Sequence, residues 1–212
     1  MTEQQQVEAR LDGAVVHVID DDPAVRDSVE FLLKSLRVES RTYPTAEDFL
    51  AGLDGTSRGC ILLDVRMPGM SGIQLQRLLA DRHIRMPVIV LTGHADVPMA
   101  VTAMKNGAFD FLEKPCSEQI LLDRIQEALA SERSRALDEA IERETRERQQ
   151  TLTPRESQVF ELVVAGFLNK QIAGMLEVSI KTVEVHRARV MDKMKAQTLP
   201  DLVRMAMILG ID

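Results

Sequence analysis

Five short runs of aliphatic and β-branched residues alternate with longer segments whose apolar residues recur every three or four positions. That alternation leaves few folds open to the first 125 or so residues. Val15 to Ile19 (VVHVI), Arg41 to Tyr43, Cys60 to Leu63 (CILL), Pro87 to Leu91 (PVIVL) and Asp110 to Leu112 read as strands. Between them, Val25, Val29, Leu32, Leu33 and Leu36 mark the first helix, and Ala46, Phe49, Leu50 and Leu53 the second. Ile73 to Leu79 and Met99 to Met104 mark two more. A fifth helix follows Lys114-Pro115. The predicted fold is α/β, a doubly wound five-stranded parallel sheet, and such sheets bind ligands beyond the carboxyl ends of their strands. Asp20, Asp21, Asp64, Thr92 and Lys114 all stand at or just after a strand end.

The rest of the chain has a different character. From Ser117 to Gln150 there is no Gly or Pro, and acidic and basic residues alternate, so the last helix of the α/β part is expected to run on as a charged helical connector over 131–150. Leu137, Ala140 and Ile141 are too sparse an apolar stripe to establish a coiled coil. Thr151-Leu-Thr-Pro-Arg-Glu then opens an all-α domain at 151–212, with a Thr cap, Pro in the first turn and Glu156 placed for a capping box. Residues 1–12 read as a flexible tail. The α/β domain is expected over 13–130.

Three carboxylates meeting at one end of a sheet repel one another unless a cation or a proton relieves them. Oxygen-only donors suit Mg2+, with Asp20, Asp21, Asp64 and the backbone carbonyl of Arg66 as candidate ligands. Lys114 adds a fixed positive charge and Thr92 a hydroxyl. This set suits a transferred phosphoryl group, with Asp64 as its acceptor, because such transfer is catalysed mainly by positioning and charge neutralisation. Taken singly, each residue has an ordinary use: Asp-Asp-Asp-Pro can cap a helix, Thr92 can serve a turn, and Lys114 can be a solvated charge. It is their placement at successive strand ends that carries weight.

VIDDD at 18–22, LLDVRMPGMSG at 62–72, VLTGHADVPMAV at 90–101 and FLEKP at 111–115 resemble, in order and spacing, the receiver domain of two-component response regulators, a flavodoxin-like fold. The 90–101 stretch is most similar to the FixJ type. The resemblance implies that Asp64 is phosphorylated by a sensor histidine kinase, that Asp20 and Asp21 are the acidic pair, that Thr92 and Phe111 switch together, and that Lys114 binds the phosphoryl group. Cys116 departs from the bulky aromatic residue that more often follows Lys-Pro.

In the C-terminal domain, Val159, Phe160, Leu162 and Val163 form one helix face that ends at Gly166. Asn169 to Leu176 forms a second helix, and Ser179 caps a third that runs to about Ala196. Two helices joined by the tight Glu177-Val178-Ser179 turn make a helix-turn-helix. Val183, Val190 and Met194 should face inward. Lys181, Glu184, Val185 and Ala188 face outward, flanked by Thr182, Arg187, Arg189 and Lys193 as cations or hydroxyls for phosphates. LTPRE, Gly166, Asn169-Lys170, Ile172-Ala173, Ser179, Thr182-Val183 and His186 resemble the LuxR-type (NarL/FixJ) DNA-binding domain. That similarity implies that Lys170, Ser179, Lys181, Thr182, Glu184, Val185, Arg187, Ala188 and Arg189 lie at the DNA, and that the last helix, near Leu199 to Leu209, forms a dimer contact.

Charge agrees with two domains of different use. Residues 1–130 carry 13 Lys and Arg against 20 Asp and Glu, whereas residues 151–212 carry 8 against 7, with five of the cations between Lys181 and Lys195. No run approaches the ~20 apolar residues of a membrane span, and MTEQQQVEAR lacks the apolar core of a secretory signal. A cytoplasmic, membrane-free protein with reduced thiols at Cys60 and Cys116 is therefore expected. The expected function is a transcription regulator rather than an enzyme, activated by phosphorylation and pairing as a homodimer on promoter DNA to engage RNA polymerase. Two rival readings use the same motifs: a DNA-binding regulator with a vestigial receiver, and an aspartyl-phosphate hydrolase. The second would lack an acid/base carboxylate two residues after Asp64, where Arg66 stands.

Overall fold

The computed structural model describes residues 15–35, 37–53, 57–93 and 96–211. The tail expected at 1–12 and the helix position Leu36 lie outside them. Compactness divides the chain into two units, Met1–Arg135 and Ala136–Asp212.

In the first unit, β1 (Val15–Ile19), β2 (Glu39–Tyr43), β3 (Gly59–Leu63), β4 (Val88–Thr92) and β5 (Asp110–Glu113) form one parallel sheet in the order β2-β1-β3-β4-β5. The helices between them are α1 (Pro23–Ser35), α2 (Ala46–Gly52), α3 (Gly72–Asp81) and α4 (Val97–Lys105), with α5 (Glu118–Gln150) after β5. Strands alternate their side chains between the faces. Val16, Val18, Cys60, Leu62, Ile89 and Leu91 pack with Val29 and Leu33 of α1 and with Leu121, Ile125 and Leu129 of α5. Ile19, Ile61, Leu63, Val88 and Val90 pack on the other face with Phe49 of α2, Leu75 and Leu79 of α3 and Ala103 of α4. Both faces are covered, which is why every residue of β3 and β4 is buried and all but the terminal Thr92 are apolar.

β2 is two residues longer than its side-chain pattern indicates. It is an edge strand whose residues are mostly exposed, and its pairing with β1 is made by the backbone. Cys60 is fully buried, and burial pushes its thiol up to about 12, so it stays protonated.

The helix expected to continue past the receiver does so without a break to Gln150, and the division between the units falls inside it. In the second unit α6 (Pro154–Val164), α7 (Asn169–Leu176), α8 (Ile180–Met194) and α9 (Leu199–Ile208) close around Val159, Phe160, Ile172, Val183, Val190, Met194 and Leu202. No helix among the described residues is long and apolar enough to cross a membrane.

Candidate functional site

The sheet reverses its winding direction between β1 and β3, and a crevice opens at that switch beyond the strand ends. Register puts Ile19 beside Leu63, so the next residues, Asp20 and Asp64, are neighbours. The Asp64 N–H donates to the Ile19 carbonyl at 2.9 Å. Both residues are buried, at 3% and 6% exposure. From β5, the Lys114 ammonium donates to Asp20 Oδ2 at 2.5 Å and to Asp64 Oδ1 at 3.4 Å. The backbone N–H of Arg66 donates to Asp64 Oδ2 at 2.9 Å, and that of Asp22 to Asp20 Oδ1 at 3.1 Å. Burial raises the Asp20 carboxyl above its ordinary value, and Lys114 offsets only part of that rise.

Asp21, one residue beyond Asp20, is exposed at the mouth. Among the described residues no three His, Cys, Asp or Glu side chains form a group arranged for a metal. The donors that do converge, two buried carboxylates with the exposed Asp21 next in sequence, still fit a hard, largely hydrated cation, which needs only one or two carboxylates from the protein.

Thr92 ends β4 and is buried at 1% exposure, and its carbonyl accepts from the Lys114 N–H at 2.9 Å. Strand alternation puts Thr92 on the same sheet face as Phe111, which is half-buried against that face's core. The structure thus gathers Asp20, Asp64, Thr92 and Lys114 at one end of the sheet, with Phe111 on the same face as Thr92.

Two further contributors were not singled out from the sequence, Gly72 standing there only as the last residue of the LLDVRMPGMSG motif. The Arg26 guanidinium on α1 donates to the backbone carbonyls of Asp20 at 2.7 Å and Asp21 at 3.0 Å, pinning the acidic loop. Gly72 opens α3 directly against the end of β3, where a Cβ would stand 2.2 Å from the Asp64 carbonyl oxygen.

In the second unit, Ser179 caps α8: its hydroxyl accepts from the Thr182 N–H at 3.0 Å and pairs with the Thr182 hydroxyl at 2.8 Å. Val183, Val190 and Met194 are buried as expected, and Lys170, Lys181, Glu184, Val185, Ala188 and Arg189 are exposed. Arg187 leans onto α7, where it donates to Asn169 Oδ1 at 3.1 Å.

Lys193 requires a correction. It is not a phosphate-facing cation, because its ammonium donates to Glu156 Oε2 at 2.6 Å and to the Thr151 carbonyl at 2.9 Å, tying α8 to the start of α6. Glu156 also completes the capping box with Thr153. Lys193 and this cap hold its carboxyl down at about 2. Glu156→Gln is expected to cost about 2 kcal/mol of unfolding free energy near pH 7. A carboxyl depressed in the folded state stabilises it fully above its unfolded value of about 4.3, and that contribution fades as pH falls toward about 2. Urea unfolding of both proteins should therefore show a gap that narrows as pH drops from about 5 to about 3. A gap independent of pH would contradict this assignment.

Residues 16–126 match the response regulator receiver domain, and residues 150–206 match the bacterial regulatory proteins of the luxR family. The chain is 45% identical over 196 residues to the transcriptional regulatory protein FixJ of Bradyrhizobium diazoefficiens, covering 92% of this chain and 96% of that one. It is 47% identical over 195 residues to FixJ of Rhizobium meliloti, with coverage of 92% and 96%. Among solved structures, the response regulator StyR aligns with a TM-score of 0.84 at 41% identity, over 92% of this chain and 98% of that one. Full-length FixJ from B. japonicum aligns with a TM-score of 0.58 at 44% identity, over 94% and 98%. A buried acidic pocket at the switch point of one unit and a capped helix-turn-helix in the other accord with these matches, and the chain belongs to the two-component response regulators that join a receiver domain to a LuxR-type DNA-binding domain.

Proposed function

We propose that a sensor histidine kinase phosphorylates Asp64 and that the phosphorylated chain pairs as a homodimer on promoter DNA, where it engages RNA polymerase and activates transcription. The observation that carries this reading is the buried Asp64 carboxylate beside an ammonium shared with Asp20. One oxygen of Asp64 bonds to phosphorus as the donor's P–N bond breaks. Lys114 lies across Asp20 and Asp64 and neutralises charge that builds on the phosphoryl oxygens. Asp20, Asp21, Asp64 and the Arg66 carbonyl are the residues that would hold Mg2+, which when bound screens the same charge.

Phosphorylation adds about −1.5 to −2 charge and three acceptor oxygens. The Thr92 hydroxyl turns to donate to one of them. Phe111, on the same face, moves into the space released, and the surface formed by α4 and β5 is remodelled. Receiver residues 13–130, connector 131–150 and DNA-binding residues 151–212 are the working parts. In the last, Lys170, Lys181 and Arg189 face phosphates, while Glu184, Val185 and Ala188 face base edges. Ser179 and Thr182 act through the cap that aims α8, and Arg187 through its hold on Asn169.

Light scattering with beryllofluoride plus Mg2+ tests the reading. The mimic is expected to convert monomer to dimer and to raise DNA affinity with it. A mass that never changes would remove dimerisation from the mechanism, and DNA affinity indifferent to the mimic would favour a vestigial receiver.

A further inference from the structure

Spacing of three and four residues sets Lys181, Glu184, Val185 and Ala188 on one face of α8, opposite the buried Val183, Val190 and Met194. All four are exposed. Arg, Lys, Asn and Gln are the side chains that grip guanine or adenine with two hydrogen bonds, and between Lys181 and Asp192 this face carries none of them. Arg187 is turned onto α7, where it donates to Asn169 Oδ1 at 3.1 Å, and Lys193 is held by Glu156. What the middle of the face presents is one carboxylate and two small apolar side chains.

The carboxylate is uncommitted. Glu184 makes no hydrogen bond or ion pair with another described residue. By contrast, Glu156 pairs with Lys193 at 2.6 Å and Asp192 with Lys195 at 3.2 Å. An ionised carboxylate only accepts hydrogen bonds. Phosphates repel it, and on the base edges of the major groove only two groups donate, the N4 amino group of cytosine and the N6 amino group of adenine. Adenine sets its N7 acceptor beside that amino group, where it repels the second carboxylate oxygen, whereas cytosine has no acceptor on its edge. Val185, next to Glu184 on the same face, has no polar atom and matches the C5 methyl group of thymine. Ala188, one turn on, keeps the face low enough for both to reach.

We infer that Glu184 and Val185 determine the DNA sequence this chain selects, Glu184 choosing a cytosine and Val185 a thymine in an adjacent base pair. The inference rests on the reading of α8 as the helix that enters the major groove.

The test is selection of duplexes from a random library by the full chain, with and without beryllofluoride plus Mg2+, followed by affinity measurements on the enriched duplex. Each half-site is expected to hold a C·G pair whose preference disappears in Glu184→Ala. Changing that pair to T·A should weaken the unaltered protein about tenfold and Glu184→Ala less than about twofold. Replacing the adjacent thymine by deoxyuridine removes only its methyl group, and should cost the unaltered protein about fourfold and Val185→Ala nothing. Glu184→Ala should also bind random-sequence duplex at least as tightly as the unaltered protein, because it removes a negative charge facing DNA; a residue needed only for folding would not behave so. A cytosine preference that survives Glu184→Ala, selection of adenine in its place, or a deoxyuridine penalty that survives Val185→Ala would each overturn the assignment. A library with no enriched sequence under either condition would overturn the reading of α8 itself, and this inference with it.

Discussion

Replacing Asp64 by alanine is expected to reduce phosphoryl uptake from a small phosphodonor by at least about 10³-fold, the scale on which an active site loses its nucleophile. The reason lies in the site's asymmetry. Asp20, the other buried carboxylate, is already engaged by Lys114 at 2.5 Å and by the Asp22 N–H, and its carboxyl is raised by burial, so it is a poor substitute. Stability should change little or rise. Asp64→Ala removes one of two mutually repelling buried carboxylates and leaves the ammonium paired with Asp20, so no uncompensated buried charge remains. Intact-protein mass spectrometry after phosphodonor treatment reads the loss directly, and thermal unfolding shows that the fold is retained. Full stoichiometric labelling of the Asp64→Ala protein would place the acceptor elsewhere.

The second large effect is expected from a single methyl group. Gly72→Ala would set a Cβ 2.2 Å from the Asp64 carbonyl oxygen and 3.0 Å from its carbonyl carbon. These are backbone atoms with no side-chain freedom to yield, so the β3–α3 junction must shift, at a cost of about 2–3 kcal/mol. The N–H of Gly72 also donates to the Val65 carbonyl at 3.0 Å, and the Arg66 N–H that orients Asp64 lies in the same loop. Displacement of about 1 Å at a reacting group costs of order 10²-fold in rate. Phosphoryl uptake should fall by that factor in protein that still folds, as measured by initial rates beside urea unfolding. The same substitution at Gly174, in α7 with nothing beyond its chain neighbours and its own helix backbone within 4 Å of the added carbon, should instead stabilise by about 0.5–1 kcal/mol through helix propensity. If the two substitutions behave alike, close approach is not what Gly72 provides.

The strands were legible in the sequence where both faces are buried, because β3 and β4 then carry continuous apolar runs, Cys60–Leu63 and Val88–Leu91. β2 was half-legible. Glu39 and Ser40 have no strand pattern of their own, and their place is set by backbone pairing with Val15 and Val16. The candidate site was legible by residue type, since a doubly wound sheet exposes its strand ends on one side and Asp20, Asp64, Thr92 and Lys114 each follow a strand. Spacing could not tell Asp20 from Asp21. Consecutive residues leaving a strand point opposite ways, so one carboxylate is buried against Lys114 and the other faces outward.

The sequence by itself determined the order of elements, the family, and which residue types stand at the strand ends, because periodicity and local spacing are properties of the chain alone. Only the tertiary structure decided that Lys114 bridges two carboxylates 94 and 50 residues away, that Arg26 grips the acidic loop, and that Lys193 serves Glu156 instead of a phosphate. These are through-space pairings of cationic side chains with carboxylates or, for Arg26, with backbone carbonyls. Their partners are chosen by how the helices and strands pack, which no local pattern encodes.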